Sequence, residues 1–531
     1  MASKVDELPT ELIVHVFAEL NCADLLRCRE VCRLFDAVCK ESAVLQYKVE
    51  LAKAGLEDHP TPRPLSAAER TQLLRKHQAA WSSLDISYEE VVPMLVGQTW
   101  ELYGGVLAQG PDQSSLRFRQ LPSALRGIED KEWTIEDLGF EIRDFAMDPA
   151  QELLVAIQMP DSPTSVFHVH LRNIYTAAPH TAAPNPAVLT HQPDGMQVSY
   201  SIQISGDHLG VFVMSANEIS NEVVIWNWKT GVCKLRYVGR TLDSFAFLSE
   251  RHVLLGLAKR PLNQAELQAL RTAEEPQLLV ADFLAGTGEL VKMDEADFLC
   301  AFHYPSMVAQ AVPLGITIRS DPAPGWTPHP DSPVPFFTAR EDRLLVITFT
   351  VYSVLEGHMQ SLLFVRTSTL LSYVDALKGE TKRRFSWDEW GPNQTRMMRA
   401  PRHHSSVWVC YVFGMRFVTA RKRRGKPKYI EVYDFSRFAR HRRAAPEPGQ
   451  GEEEEEDIFG LEDHWMSDET EMPEGIFDDK VATSLPYHMR TMIPPRGDGE
   501  KDFQCVMLSE DTIIIMCNDD SHHRNIRLLT F

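Results

Sequence analysis

The amino-acid sequence predicts a small all-α bundle followed by an all-β propeller of about seven blades, with six or eight left open. Three observations in the 531-residue chain support this. Apolar residues recur at helical spacing from residue 8 onward, and beyond residue 90 the spacing changes to strand-like alternation. One strand-turn-strand unit then returns five times. Hydrophobic residues make up 44% of the chain and mean hydropathy is -0.23, which fits a water-soluble protein. No stretch approaches the ~20 apolar residues that a membrane helix needs.

The helical part comes first. Pro9 suits the opening turn of a helix, where its missing N–H is no loss. Leu12, Val16 and Leu20 follow at four-residue spacing and form one stripe. Ile13 and Phe17 lie one position round and widen the apolar face beyond what a single neighbouring helix covers, so part of it is expected to stay exposed. A second helix is expected from about Ala23 and a third from about Arg29, with Leu25, Leu26, Val31, Phe35 and Val38 closing a bundle. So small a unit lacks a self-sufficient core and needs further burial, from another chain or from the rest of this one. Cys22, Cys28, Cys32 and Cys39 cluster here, but their spacings are not those of a zinc knuckle and they read as reduced thiols. No metal and no cofactor is expected.

The order Leu8-Pro9-Thr10-Glu11-Leu12-Ile13, Val16-Phe17, Leu20, Asp24-Leu25 and Val31-Cys32-Arg33-Leu34-Phe35 resembles the F-box. In that family the module docks on the Skp-type adaptor of cullin-RING ubiquitin ligases. The resemblance implies that Leu8, Pro9, Glu11, Leu12, Ile13, Val16, Phe17, Leu20, Leu25, Val31, Cys32 and Phe35 bind the adaptor. There is one departure: many F-boxes carry a Leu-Trp pair after the third helix, whereas this chain has Val44-Leu45-Gln46-Tyr47. That phrase, with the later Ala79-Ala80-Trp81, is similar to fungal F-box proteins that carry a propeller-like C-terminal region. The F-box is placed at residues 5–54, a connector and helix at 55–92, and the repeat domain at 93–531.

Pro60-Thr61-Pro62-Arg63-Pro64 forbids helix and makes an extended connector. Ser66-Ala67-Ala68-Glu69 is a capping box that opens a helix through about Gln78, with Leu73, Leu74, His77 and Trp81 on its apolar side. If that helix packs on the large domain, the F-box is held at a fixed orientation.

The repeat is clearest at Phe145–Ile157, Ile202–Val213, Phe245–Leu257, Phe336–Ile347 and Cys505–Ile515, each an apolar strand, a tight polar turn and a second apolar strand. Val224-Ile225-Trp226-Asn227-Trp228-Lys229-Thr230-Gly231 resembles the Trp-Asp ending of WD repeats, with Asn where Asp is usual. Leu279–Phe283 and Glu431–Phe435 are weaker echoes. Leu102–Gln120 and Ser405–Phe438 bring the units to about seven, with long insertions near 260–275, 310–335 and 440–480. The first unit reads as lacking early strands while the chain ends inside one, Asn525–Phe531, so the two ends are expected to share a blade and close the ring.

Formal charge is -20, which argues against general nucleic-acid binding. Thirteen Asp and Glu fall between Glu447 and Glu474 with no Lys or Arg, leaving -7 for the rest of the chain. An insertion at about 444–477 is therefore expected to be disordered. Just before it, Arg421, Lys422, Arg423, Arg424, Lys426 and Lys428 form a candidate charged-partner patch at a hairpin, followed by Arg437, Arg440, His441, Arg442 and Arg443. The bland alternative is a solvated hairpin tip. Asn518-Asp519-Asp520-Ser521-His522-His523 could supply metal ligands but reads as a turn. His168 and His170 alternate along one strand and His403-His404 sit in a turn, with no carboxylate orienter nearby in sequence. No phosphate loop, nucleophile elbow or His-Glu-x-x-His is present.

The expected function is that of a substrate-recognition subunit, binding the Skp-type adaptor and through it a cullin-RING ligase, while the propeller recruits an unidentified protein. Catalysis would then belong to its partners. Two other readings fit: a propeller scaffold using its F-box in a non-ubiquitin assembly, and a propeller enzyme with a site built across blades. The lack of an apolar leader points to an intracellular protein, cytoplasmic or nuclear, without membrane association.

Overall fold

Helix capping and backbone breaks divide the N-terminal region more finely than apolar spacing alone suggests. The computed structural model describes residues 8–95, 97, 99–162, 166–194, 197–215, 220–258, 275–340, 342–353, 356–401, 410–422, 427–436, 463–496, 503–518 and 524–531. Four helices come first: α1 (Thr10–Glu19), α2 (Cys22–Val31), α3 (Arg33–Glu41) and α4 (Ala43–Ala54). Asn21 caps α2, its side-chain oxygen accepting from the Asp24 N–H at 2.8 Å. The third helix starts at Arg33 rather than near Arg29, because Cys32 is extended (φ -157°, ψ 164°) and interrupts what would be one longer helix. Gly55, at φ +67°, ends α4 in the left-handed conformation that glycine adopts without strain. Ile13, Phe17, Leu25, Val38, Cys39, Leu45 and Val49 fill the bundle. Phe17 meets Phe35 edge to face at 5.0 Å between centroids.

The capping box at Ser66 and Glu69 opens α5 (Ala67–Ser83), which runs a turn beyond the expected end. Its buried side is Thr71, Leu74, His77 and Trp81.

Seven blades follow, each a sheet of four or five strands. Their first strands are Thr99–Tyr103, Ile142–Asp148, Gln197–Ser205, Leu242–Phe247, Ala311–Arg319, Val412–Phe413 and Cys505–Leu508 in blades 1 to 7. First strands touch from blade 1 round to blade 5 and again between blades 6 and 7. Blade 1 is complete, with four strands from Thr99–Tyr103 to Lys131–Ile135, so the expectation that it lacks early strands does not hold. Ring closure nevertheless joins the two ends: Tyr88–Pro93 pairs antiparallel with Arg524–Thr530 as the outermost strand of blade 7. The Trp226 segment ends the third strand of blade 3, and the Asn227 side chain accepts from the Thr230 N–H at 2.9 Å, holding the turn.

One of the five repeat copies is corrected. Phe336–Thr338 is not a blade strand. The first strand of blade 5 is Ala311–Arg319, inside the expected insertion. Pro313 and Gly315 hide it from a pattern reading: both weaken a strand, and the register shifts between them. The segment from Ser320 to Pro335 instead crosses the axis as a strap. The Ala323 N–H donates to Tyr103 Oη at 3.1 Å, and the Gly414 N–H donates to the Asp321 carbonyl at 2.7 Å. Arg343 donates to the carbonyls of Pro322 and Leu248 at 3.0 and 2.9 Å. These contacts lie at the turns between first and second strands of blades 1, 4 and 6, so the strap covers that face of the ring.

Having crossed, the chain pairs as Phe336–Thr338 with Leu56–Asp58, the strand just after α4. The helical module is thus stitched to the propeller by a two-stranded sheet. Tyr47 Oη donates to Asp58 at 2.9 Å, and His59 and Thr61 bond the carbonyls of Val334 and Pro333. On the same face α5 lies against blade 7. Trp81 stacks on Phe531 at 4.4 Å, with Arg416 over its ring. His77 and Arg126 both reach Asp511 at 3.0 Å, Arg126 also reaches Glu510 at 2.5 Å, and Glu510 accepts from the Thr338 N–H at 3.0 Å.

Residues 437–462, with the glutamate run and the arginines from Arg437 to Arg443, lie outside the described residues. Expected disorder as far as 477 is corrected: Asp463–Met466 pairs with Tyr487–Met492, and Thr470–Glu471 pairs with Ala482–Thr483. Met472, Ile476, Phe477 and Val481 bury themselves in the core of blades 4 and 5, apolar surface that the count of acids conceals.

Candidate functional site

The helical module shows what its core cannot hold. Ile13 and Phe17 point inward from α1, while Leu12 and Val16, at the same four-residue interval, point outward with 50% and 55% exposure. Leu8 precedes them on the open side. Leu26, Val31, Leu34 and Val44 are also exposed, Val31 to 69%. Seven of the fifteen large apolar side chains exposed among the described residues therefore lie between positions 8 and 44. That is a concentration of open apolar side chains in a stretch of 37 residues.

The twelve residues expected to bind the adaptor do not share one environment. Leu8, Pro9, Glu11, Leu12, Val16 and Val31 are exposed, and Leu20, Cys32 and Phe35 are half-buried. Ile13, Phe17 and Leu25 are at most 5% exposed and form the inside of the bundle, out of reach of the surface. Leu26, Leu34 and Val44 were absent from that set. Leu25-Leu26 carries a signal that could have found one of them, since adjacent helical residues cannot both face inward. Around the patch the charges are paired among themselves. Asp36 accepts from Lys40 at 2.6 Å and from Arg29 at 3.2 Å, and the Lys40 ammonium holds the Asp36 carboxyl below its ordinary range.

The other candidates are more scattered. Arg421 and Lys422 end one strand of the blade 6 hairpin, and Arg421 pairs with buried Glu431 at 2.6 Å. Lys428 leaves the proposed patch: it is 6% exposed, with its ammonium on the Phe503 carbonyl at 2.6 Å and over the Phe503 ring. Arg423, Arg424 and Lys426 lie outside the described residues, as do His403-His404 and positions 519–523 of the suspected metal turn. His170 stacks on Phe140 and bonds Gln158, and His168 approaches Thr190, so both serve the packing of blade 2. Among the described residues, no group of three or more His, Cys, Asp or Glu is placed to hold a metal ion.

Shifted carboxyls occur near the axis. Burial pushes Glu101 up to about 8, with Asp321 adding to it, and burial raises Asp321 to about 7 and Asp144 to about 6. Such shifts accompany active sites and structural clusters alike. Here the cavity beside Asp321 and Cys410 holds about 10 Å³, room for about one water rather than a substrate.

Residues 5–49 match the family model described as F-box-like. The chain carries an F-box-like domain at its N-terminus. Its helices α1 to α4 are followed by the all-β seven-bladed propeller. No curated protein sequence matches the chain. Among solved structures, it is similar to the WD40 domain of SCAP from fission yeast, at 9% identity and a TM-score of 0.33 over 82% of this chain and 84% of that one. It is also similar to the polysaccharide lyase Uly1, at 11% identity and a TM-score of 0.36 over 82% and 90%. Hsv2 from Kluyveromyces lactis aligns at 12% identity and a TM-score of 0.25 over 51% and 68%. Likenesses this distant say nothing of what the chain binds. An F-box-like domain joined to a propeller is an architecture typical of non-catalytic adaptors, and no helix among the described residues is long and apolar enough to cross a membrane.

Proposed function

We propose that the chain is the substrate-receptor subunit of a Skp-cullin-F-box ubiquitin ligase, working inside the cell. The F-box-like domain would hold the Skp-type adaptor, and the propeller would recruit the protein to be modified. The observation that carries this reading is the exposed apolar face of α1 to α4. Fully burying one Leu or Val side chain is worth ~1.5–3 kcal/mol, so covering Leu12, Val16 and their neighbours is a substantial driving force for docking.

The subunit contributes position rather than bond chemistry. Holding a target lysine near a conjugating enzyme raises its effective concentration, and that gain requires a stiff connection. The paired strands Leu56–Asp58 and Phe336–Thr338, with α5 locked on blade 7, supply stiffness. Strap and α5 occupy the face with first-to-second-strand turns, so the recruited protein would use the opposite face, where the Arg421–Lys428 hairpin turns.

Co-purification with a Skp-type adaptor and a cullin tests the reading. The unmodified chain is expected to retain both, and the double variant Leu12→Asp, Val16→Asp to lose both while melting at the same temperature. Adaptor retained without cullin would favour a non-ubiquitin scaffold. Undiminished adaptor binding by the double variant would sink the proposed docking face.

A further inference from the structure

A cleft of about 1000 Å³ opens on the strap-covered face, beside the joint between module and ring. Its walls come from the connector at Arg63, from blades 1 and 2, from the strap and from blade 7. That volume is at the top of the ~300–1,000 Å³ range of small-molecule sites and has room for a piece of polypeptide. Adaptor docking on the α1 face does not account for it.

The chemistry of the walls favours a cation. Six carboxylates line the cleft against three side-chain cations. Arg126 pairs with Glu510 and Asp511, and Asp130 pairs with Arg119, which leaves Glu129, Glu152 and Asp331 against Arg63 and Lys131. Trp133 and Tyr175 form an aromatic pair at 5.0 Å between centroids, and Tyr175 is 39% exposed. Trp133 is fixed from behind, stacked on Phe118 at 5.2 Å and donating from Nε1 to the Ile174 carbonyl at 2.9 Å. Burial raises the Tyr175 phenol above its ordinary range, and the nearby Glu152 carboxylate adds to the shift.

This chain already places a cation on the pair. Lys131 Nζ lies 4.9 Å from the Tyr175 ring centre and 5.7 Å from that of Trp133, within the range of cation–π attraction. No carboxylate holds Lys131 there among the ion pairs of the described residues. It is an exposed lysine resting on two rings, and an incoming cation can exchange with it.

We propose that this cleft binds a basic peptide segment of a partner protein, seating a lysine or arginine side chain on the Trp133–Tyr175 pair in place of Lys131. The acidic walls attract the segment, and the aromatic pair selects the cationic side chain from among its residues. Lys131 then acts as an internal competitor, which gives the proposal a sign that ordinary electrostatic attraction lacks.

The test is fluorescence anisotropy on the full chain, with a labelled Lys/Arg-rich decapeptide and its Glu/Asp counterpart as probes. The basic peptide is expected to bind and the acidic one not. Tyr175→Ala should weaken the basic peptide about tenfold, and Lys131→Ala should strengthen it severalfold, with the melting temperature recorded for each variant. A Glu152→Gln variant, which keeps the bond from Asn173, should also weaken it. Binding that ignores Tyr175→Ala and Lys131→Ala alike would mean attraction to the glutamate run and would overturn the proposal. Preference for the acidic peptide, lost on Lys131→Ala, would overturn it in the other direction.

Discussion

The helical module and the propeller handle apolar surface in opposite ways. Residues 8–44 bury only a handful of side chains and expose seven large apolar ones, while the whole described remainder exposes eight. In the propeller each blade has neighbours on both sides, so nearly every inward residue finds cover. The module has one flank against the strap and α5 and leaves the other open. A small bundle cannot enclose all its apolar residues, and what is left over stays on its surface.

The contrast is broken most severely at the ring closure. Ending the chain before Arg524 removes a strand paired on both sides, together with Ile526, Leu528, Leu529 and Phe531, and it takes away the ring on which Trp81 stacks. Loss of cooperative unfolding in calorimetry is the expected outcome, and unchanged melting would contradict a closed ring.

Next in size is the joint. Asp511→Ala leaves buried Arg126 with Glu510 alone and takes the carboxylate from His77, and breaking a buried pair costs ~3–5 kcal/mol. Urea unfolding should register that loss, and proteolysis should show α5 loosened from blade 7.

Within the module the two faces of α1 should separate cleanly. Phe17→Ala opens a cavity beside Phe35 and is expected to cost ~3–5 kcal/mol of stability. Leu12→Ala, on the exposed side, should change stability by no more than ~0.5 kcal/mol while weakening adaptor binding. Equal melting shifts for the two would erase the distinction between core and docking face.

The pH dependence is gentler. Burial lowers the His77 pKa below its ordinary value despite Asp511, so the folded chain keeps this imidazole neutral where the unfolded chain protonates it. Stability is therefore complete above pH ~6.5 and falls below it, by at most ~1.4 kcal/mol per pH unit from this one group. His77→Gln should flatten that part of the stability profile. The smallest effect is expected at the partly exposed pair of Glu57 and Arg340, 2.9 Å apart, where Glu57→Ala should cost under ~1 kcal/mol.

Much of this architecture is legible in the chain. Four of the five quoted hairpins are blade hairpins, because two short apolar runs joined by a tight polar turn report a pair of buried strands wherever they lie. The capping box at Ser66 works locally and is found where it was read. Phe336–Thr338 misled because a short strand of two phenylalanines and a threonine does not say which strand it pairs with. Lys428 misled because a basic run in sequence divides between a hairpin tip and a buried ladder position once the strands are paired.

By itself, then, the sequence determined the elements whose cause is local: helix stripes, caps, turns and alternating strands. Only the tertiary structure decided the partners. It sent Ser320–Pro335 across the axis, paired the strand beyond with Leu56–Asp58, and turned Leu12 and Val16 outward while Ile13 and Phe17 turned inward. It also assembled the cleft at Trp133 and Tyr175 from segments distant in the chain. Periodicity records that a side chain has a buried or an exposed face. Which surface lies opposite depends on where the rest of the chain has folded.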